Sequence, residues 1–377
     1  MLNCLKQASA FLMIALAYTL HNLQVKDRRL TINMAIWAYE QVLGVVSSET
    51  MPMVWADILY NLANAYRERI TGDRSDNLER AISAYKQSLT VTTRTQMPVE
   101  WAQATHNMAT AFCQRIDGDN ADNVEHGIGL FKQALTVRTR STMPAEWAIT
   151  SHNLAEAYKD RLYGDPVDNI ERTIAIYRQV LTVRSLSELP TDWAETTAAL
   201  AEAYTNRMKG DLAENIEQAI ALCKQALTVQ TRGEMPIDWA ATMHNLANAL
   251  QDRIRGDRAQ NLEQAIAIYE NALTVRTQNT DPEKWALTVN NLANAFGDRI
   301  KGDRAQNLEH SIALLEQALT VRTAENDPDG WGQTLNNLAI AYTDRILGNA
   351  SENLERAIKL FAHFSVESDV TVNACSN

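Results

Sequence analysis

The octapeptide GDRAQNLE occurs twice in this chain, at 256–263 and at 302–309, which is a spacing of 46 residues. Tryptophans follow the same spacing without slippage: Trp55, Trp101, Trp147, Trp193, Trp239, Trp285 and Trp331. Only Trp37 lies outside the series. A repeat of this regularity constrains the fold strongly, because every copy must adopt the same local structure and bury its apolar surface against its neighbours.

Several equivalent positions, which we call columns, do not vary over the seven copies. The invariant columns begin at Ala65, Arg69, Gly72, Asn77, Glu79 and Ile82 and end at Ala341, Arg345, Gly348, Asn353, Glu355 and Ile358. A proline lies three residues before each tryptophan of the series. These positions therefore define what each repeat needs in order to fold.

Each repeat reads as two helices. In the copy around Trp239, Pro236 suits a first helical turn, and Trp239, Leu246 and Leu250 fall on one helical face. Gly256 suits the left-handed position directly after a helix. Asn261 is expected to cap the second helix, with Glu263 in its first turn. Small residues at Ala65 and Ala81 allow close approach of helix axes, and the tryptophans are expected to pack in the seams between repeats.

The pattern Leu62-Ala63-x-x-Tyr66, then Ala81-x-x-x-Tyr85, then Pro98 resembles the tetratricopeptide repeat. The period of 46 residues departs from the 34 of that family, and Trp55 lies seven residues before Leu62 rather than three. Longer arrays of this style resemble those of cyanobacterial signalling proteins and of kinesin light chains. The resemblance implies an all-α, right-handed superhelical solenoid.

The register predicts eight helix-turn-helix repeats in a single solenoid over residues 1–366, with degenerate first and last copies, followed by a polar tail at 367–377. Residues 8–24 fall in register as the first helix. The alternative for residues 8–20 is a signal peptide, because this stretch is apolar and follows Lys6. The helix is favoured, since cleavage after Ala17 would remove the partner of the helix at 32–46.

Composition narrows the function. The net charge of −11 argues against nucleic-acid binding. No run reaches the roughly 18 apolar residues of a membrane span. The four cysteines form no C-x-x-C pair, which is typical of reduced thiols in a cytoplasmic protein.

Candidate chemistry is sparse. His106, His152 and His244 share a column, but equivalent residues of stacked helices lie roughly 8–10 Å apart, too far to share a zinc ion. The Asp-containing loops after each glycine lack calcium-binding spacing. Each arginine of the Arg69 column is expected to tie the end of a first helix to the start of the next helix; the alternative is that the Arg69 and Glu79 columns form a functional charge ladder. With no phosphate loop and no nucleophile motif, we expect no enzyme activity, no metal and no cofactor.

Asparagines of the first helices are the best site candidates. The resemblance implies that these positions line a concave groove and hydrogen-bond a bound peptide; the alternative is that they satisfy polar groups of neighbouring repeats. The candidates are Asn61, Asn64, Asn107, Asn153, Asn245, Asn248, Asn291, Asn294 and Asn337.

The same face is predicted to carry more acids than bases. We therefore expect a non-catalytic protein-interaction scaffold for a neutral to basic peptide or protein. The alternative is a sensor or regulatory subunit whose effector is a separate chain. Apolar residues at both ends, including Phe11, Leu12, Phe361 and Phe364, predict possible end-to-end self-association.

Overall fold

The chain is helical, as its periodicity predicts. The computed structural model describes residues 2–23, 25 and 27–374, with side chains over residues 12–23, 25 and 27–362. This part of the chain forms sixteen helices in eight pairs and contains no strand. The all-α expectation and the helix-pair repeat are therefore confirmed.

Contacts divide the chain into an N-terminal unit, Met1–Arg184, and a C-terminal unit, Ser185–Asn377. The N-terminal unit contains α1 (Leu2–Asn22), α2 (Arg29–Leu43), α3 (Pro52–Glu68), α4 (Arg74–Ser88), α5 (Pro98–Cys113), α6 (Asn120–Ala134), α7 (Pro144–Lys159) and α8 (Pro166–Val180). The C-terminal unit contains α9 (Pro190–Thr205), α10 (Leu212–Ala226), α11 (Pro236–Gln251), α12 (Arg258–Leu273), α13 (Pro282–Asp298), α14 (Arg304–Ala318), α15 (Pro328–Asp344) and α16 (Ala350–Ala374).

Within each unit the pairs stack in chain order. The second helix of one pair packs on the first helix of the next, as α4 does on α5 and α12 on α13. First helices of neighbouring pairs also touch, as α3 does with α5 and α11 with α13. Helix α1 contains most of the predicted first helix, and α16 includes residues 367–374 of the predicted tail. A single solenoid over residues 1–366 concerns both units together and stays a prediction.

The turn between the helices of a pair differs from the sequence expectation. Gly256 has φ +83°, so its left-handed conformation is confirmed, but it lies four residues beyond the C-cap Asp252. The N-cap of α12 is Asp257, whose carboxylate accepts from the backbone N–H of Gln260 at 2.7 Å. The cap assigned to Asn261 was therefore wrong.

Asn261 instead holds the turn from inside the helix. Its side chain is buried, its Nδ2 donates to the carbonyl of Arg255 at 3.0 Å, and its Oδ1 accepts from Arg253 Nη1 at 3.4 Å. A buried amide that bonds a loop carbonyl satisfies groups which water cannot reach. This requirement explains why the asparagine recurs in every repeat.

The core is built from columns that alternate large and small. In the N-terminal unit Tyr39, Tyr85, Phe131 and Tyr177 form one fully buried column. Alanines at 63, 109 and 155 are also fully buried, as are those at 201, 247, 293 and 339 in the C-terminal unit. Alanine brings the helix backbones close, while the aromatic rings pack against the first helix of their own pair, as Phe131 does on His106 and Tyr177 on His152.

The seven tryptophans of the 46-residue series are half-buried, whereas Trp37 is exposed. Trp55 packs against the same apolar cluster as Leu43, at the end of the preceding helix, and Trp285 packs against the same cluster as Leu273. Arg140 and Arg232 lie over the rings of Trp147 and Trp239, with guanidinium carbons 5.9 and 6.0 Å from the ring centroids. Packing of Trp147 and Trp239 against the preceding helix ends stays a prediction.

Candidate functional site

The nine candidate asparagines lie on first helices and are all half-buried. We call the surface that carries them the asparagine face. In the N-terminal unit it belongs to α3, α5 and α7, and in the C-terminal unit to α11, α13 and α15. The face is described separately for each unit below.

In the N-terminal unit the asparagines form bridges between neighbouring repeats. Asn107 donates from Nδ2 to Asn64 Oδ1 at 2.9 Å and to Tyr60 Oη at 3.0 Å. Asn64 Oδ1 also accepts from Tyr85 Oη at 2.5 Å. Asn61 donates to Tyr18 Oη at 2.9 Å, and the Nδ2 of Asn153 lies 3.5 Å from His106 Nε2.

In the C-terminal unit the asparagines fall into two classes. Asn291 donates to Asn248 Oδ1 at 3.0 Å, and Asn337 donates to Asn290 Oδ1 at 3.1 Å. If the asparagines serve a ligand, the amides of Asn245, Asn291 and Asn337 are expected to be unpaired or water-bound. For Asn291 and Asn337 this expectation is wrong, since their amides satisfy groups of the preceding repeat. The side chains of Asn245 and Asn294 make no hydrogen bond among the described residues, so both amides are available to a ligand.

Acidic residues flank these amides in the C-terminal unit. Burial raises the pKa of Asp252; the charge of Arg258 opposes this, and the charge of Asp298 adds to it. Arg258 and Arg304 reach Asp298 and Asp344 only at 3.6 and 3.7 Å. In the N-terminal unit Lys159 pairs with Glu156 at 2.8 Å. The predicted excess of acids on this face stays a prediction.

The three histidines of the shared column are packed in the interior of the repeats. His106, His152 and His244 are buried against Phe131, Tyr177 and Tyr269. Burial lowers the pKa of His106 and of His244 to about 3, and the charges of Arg138 and Arg276 lower it further. In the part of the chain with described side chains, no three His, Cys, Asp or Glu residues converge as a metal site.

The Arg69 and Glu79 columns tie neighbouring repeats together. Arg115 donates from Nε to Glu79 Oε1 at 2.5 Å and from Nη2 to Oε2 at 3.2 Å, across 36 residues. Arg253 binds Glu217 in the same way in the C-terminal unit. Each arginine also reaches the buried asparagine of its own turn, as Arg115 does with Asn123 at 3.2 Å.

Sequence reasoning missed one regular surface. A large apolar residue directly follows each arginine of that column and is more than half exposed. In the N-terminal unit these residues are Ile70, Ile116 and Leu162; in the C-terminal unit they are Met208, Ile254, Ile300 and Ile346. The sequence signal that could have revealed this surface is an apolar column that lies outside both helices of the repeat.

The predicted end-to-end association rests on partly described residues. Leu12 is 74% exposed on α1 and Phe361 is 40% exposed on α16. The side chains of Phe11 and Phe364 lie outside the described residues. Self-association therefore stays a prediction. No described helix is both long and apolar enough to cross a membrane.

Residues 239–273 match the family model described as Tetratricopeptide repeat. A search of curated protein sequences found no significant match. Among solved structures, the chain is similar to a Signal Transduction ATPase with Numerous Domains (STAND) protein with a tetratricopeptide repeat sensor from Pyrococcus horikoshii. The identity is 11% and the TM-score 0.54, with 94% of this chain and 55% of that chain covered.

The chain is also similar to yeast Tom70, at 14% identity and a TM-score of 0.46, over 89% of this chain and 64% of that one. The chain thus spans less than two thirds of either structure. At these identities the first likeness supports the fold alone, and the second is too weak to support an argument.

Proposed function

We propose that this chain, a tetratricopeptide repeat protein, is a non-catalytic scaffold that binds a peptide or protein partner on its asparagine face. Repeats of this kind present continuous surfaces rather than unique catalytic pockets. The nine asparagines on first helices are the proposed peptide-binding residues.

The observation that carries the proposal is the pair of unpaired amides at Asn245 and Asn294. Both side chains are half-buried on first helices of the C-terminal unit, and neither has a hydrogen-bond partner among the described residues. Each amide offers two donors and an acceptor, which matches the unmet N–H and C=O groups of a peptide backbone. An unpaired, half-buried amide adds little to the fold but can contribute to binding.

The charge of the face indicates the partner's charge. Three successive repeats carry an aspartate at the end of the first helix: Asp252 directly after α11, Asp298 at the end of α13 and Asp344 at the end of α15. Such a surface attracts a neutral to basic peptide and repels an acidic one. The bridged asparagines, such as Asn291 with Asn248, hold adjacent first helices in place beneath the ligand.

The proposal is tested by purification of the tagged chain from its native host, with identification and titration of any stoichiometric partner. The double variant Asn245→Ala/Asn294→Ala should weaken binding by roughly fivefold to 150-fold, since each lost hydrogen bond costs roughly 0.5–1.5 kcal/mol. Asn271→Ala is the matched control, because Asn271 is exposed on a second helix and bonds only its own helix. Unchanged affinity in the double variant would count against this binding face.

The second candidate is a sensor or regulatory subunit whose effector is a separate chain. Its motive is that the STAND protein with which this chain shares the fold carries its tetratricopeptide repeats as a sensor. Here the partner would be an enzyme whose turnover changes when this chain binds. Assaying the purified partner with and without the chain separates the two functions, because a passive scaffold leaves partner turnover unchanged.

A further inference from the structure

A buried polar column lies just after the second helices. Arg138 follows α6, is only 6% exposed, and donates from Nη1 to Thr150 Oγ1 at 3.0 Å. In the C-terminal unit Arg276 and Arg322 bond Thr288 and Thr334 in the same way, at 3.3 and 3.1 Å. Each arginine thus fills the seam with a guanidinium and bonds a threonine twelve residues later.

The column is filled differently elsewhere. Gln230 accepts from the hydroxyl of Thr242 at 2.6 Å, so an amide replaces the guanidinium. Near the N-terminus, Val46 and Ile58 fill the seam with apolar side chains and are both buried. In these cases the residue after the second helix and the residue twelve positions later complement each other.

One seam is left open. The corresponding pair after α4 is Thr92 and Ala104, and both residues are too short to span the seam. A cavity of about 110 Å³ lies there, lined among others by Tyr60, Thr92, Met97 and Ala104. This is several times the roughly 10–15 Å³ that one water needs. The cavity therefore occupies the place that an arginine side chain fills in the next repeat.

The walls of the cavity suit a cation. Thr92 is 6% exposed, yet its hydroxyl makes no hydrogen bond among the described residues. Glu100 is exposed at the rim and has no ion pair within the described part of the chain. In the next repeat, burial lowers the pKa of Arg138, and the charge of Glu146, which holds the place of Glu100, opposes that effect.

The remaining lining residues add to this character. Asp57 lies on the same rim, and its carboxylate accepts from the hydroxyl of Tyr18 and from Asn61 Nδ2, the latter at 3.2 Å. Tyr60 Oη accepts from Gln103 at 2.7 Å. No lysine or arginine lines the cavity. The site thus combines two carboxylates, a free hydroxyl and an aromatic ring, without a competing cation of its own.

We propose that this cavity receives an arginine side chain of the bound partner, which takes the place that Arg138 takes one repeat later. The inference rests on the proposed function, since the arginine belongs to the partner peptide. A guanidinium fits better than an ammonium, because it is planar, weakly hydrated and able to donate to several acceptors at once.

The first test needs no known partner. Acetyl-arginine amide is titrated into the full chain labelled with ¹³C at the methionine methyls. Met53 and Met97 line the cavity, and their NMR signals should shift. Met143 holds the place of Met97 in the next repeat, beside Arg138, and should not shift. Acetyl-citrulline amide, the neutral analogue, and acetyl-lysine amide should bind at least tenfold more weakly. Equal binding of citrulline, or an equal shift at Met143, would overturn the proposal.

The second test fills the cavity from within. The variant Thr92→Arg/Ala104→Thr restores the arginine–threonine pair of the neighbouring repeats. Its circular dichroism spectrum should therefore show the same helical fold as the wild type. The affinity of this variant for acetyl-arginine amide should fall at least tenfold, and the affinity of Glu100→Gln should fall several-fold. Thr95→Arg adds the same charge to an exposed position of the loop and should bind as wild type. A folded plugged variant that binds acetyl-arginine amide like wild type would overturn the proposal.

The two proposals fail separately. A partner that binds the wild type and the plugged variant equally leaves the scaffold standing and removes the arginine site. If acetyl-arginine amide binds in the cavity but no protein partner co-purifies with the chain, the cavity is an arginine site, while the scaffold and the assignment of the arginine to a partner are both overturned.

Discussion

The guanidinium of Arg299 binds the carboxylate of Glu263 through two hydrogen bonds, from Nε to Oε1 at 2.7 Å and from Nη2 to Oε2 at 2.8 Å. Glu263 lies on α12 and Arg299 directly follows α13, so the pair joins successive helix pairs. Its geometry matches the planar fork of arginine to a carboxylate.

Replacing Arg299 with leucine should lower the free energy of unfolding of the C-terminal unit by about 1 kcal/mol, the upper end for partly exposed ion pairs. A double-mutant cycle with Glu263→Gln, measured by urea unfolding, isolates the pairwise energy. The exposed pair Arg255–Glu214 serves as control and should show a smaller coupling. Equal couplings would show that two-point geometry and partial burial add nothing.

His244 should make stability dependent on pH. Its folded pKa is about 3, whereas an unfolded histidine titrates near 6.5. As the pH falls, His244 therefore gains a proton first in the unfolded chain. This protonation favours the unfolded state, so the free energy of unfolding decreases progressively as the pH falls from about 6.5 towards 3. Each such group contributes up to about 1.4 kcal/mol per pH unit.

The variant His244→Asn tests this, because asparagine occupies the same column at Asn290 and Asn336. Urea midpoints measured from pH 7.5 to 5 should fall less steeply in the variant than in the wild type. An unaltered slope in His244→Asn would mean that His244 protonates in the folded state.

Asn291 and Asn245 should behave differently on replacement by alanine. Asn291→Ala removes the bond to Asn248 and should cost about 0.5–1.5 kcal/mol of stability. Asn245→Ala breaks no bond within the chain and should stay within about 0.5 kcal/mol. Thermal unfolding of the two variants gives the comparison, and a larger loss for Asn245→Ala would contradict the assignment of its amide to a ligand.

Gly256 should resist replacement for conformational reasons. Its φ is +83°, and an added Cβ would meet only ordinary contacts, with Arg253 Nη1 at 3.6 Å as the nearest atom. Gly256→Ala should therefore cost about 1–2 kcal/mol from backbone strain alone. Gly233→Ala is a fair control, since a Cβ there meets nothing and its φ is not left-handed. Calorimetric melting temperatures that fall equally for both would exclude backbone strain as the cause.

Replacing Trp285 should destabilise the protein more than replacing Trp37. Trp285 is half-buried and packs against a cluster with Leu273 and Leu314, whereas Trp37 is 53% exposed and lies outside the repeat series. Trp285→Ala should cost about 2–3 kcal/mol, less than the 3–5 of a fully buried tryptophan. Trp37→Ala should cost less than half as much. Chemical unfolding of both variants checks the order.

Most of the fold could be predicted from periodicity. The 46-residue spacing of the tryptophans, the prolines before them and the glycines between the helices predicted two helices per repeat, and α3 to α15 follow that register. Such features act through local backbone preferences and through faces that every copy shares, so they are readable in one dimension.

The details of the turn between the helices could not be predicted from the sequence. Asp257 and Asn261 are both good capping residues, and the sequence alone favoured the wrong one. The choice depends on where the loop carbonyls lie, since a buried amide is required next to them and a cap must face the helix start.

The candidate site shows the same division. Sequence by itself determined which column carries asparagine. Only the tertiary structure decided that Asn291 is bridged while Asn245 is free, and that the gap at Thr92 and Ala104 is an open cavity. The physical reason is that a column records a position within one repeat, whereas hydrogen bonds and cavities depend on distances between residues of neighbouring repeats, and these exist only when the helices pack.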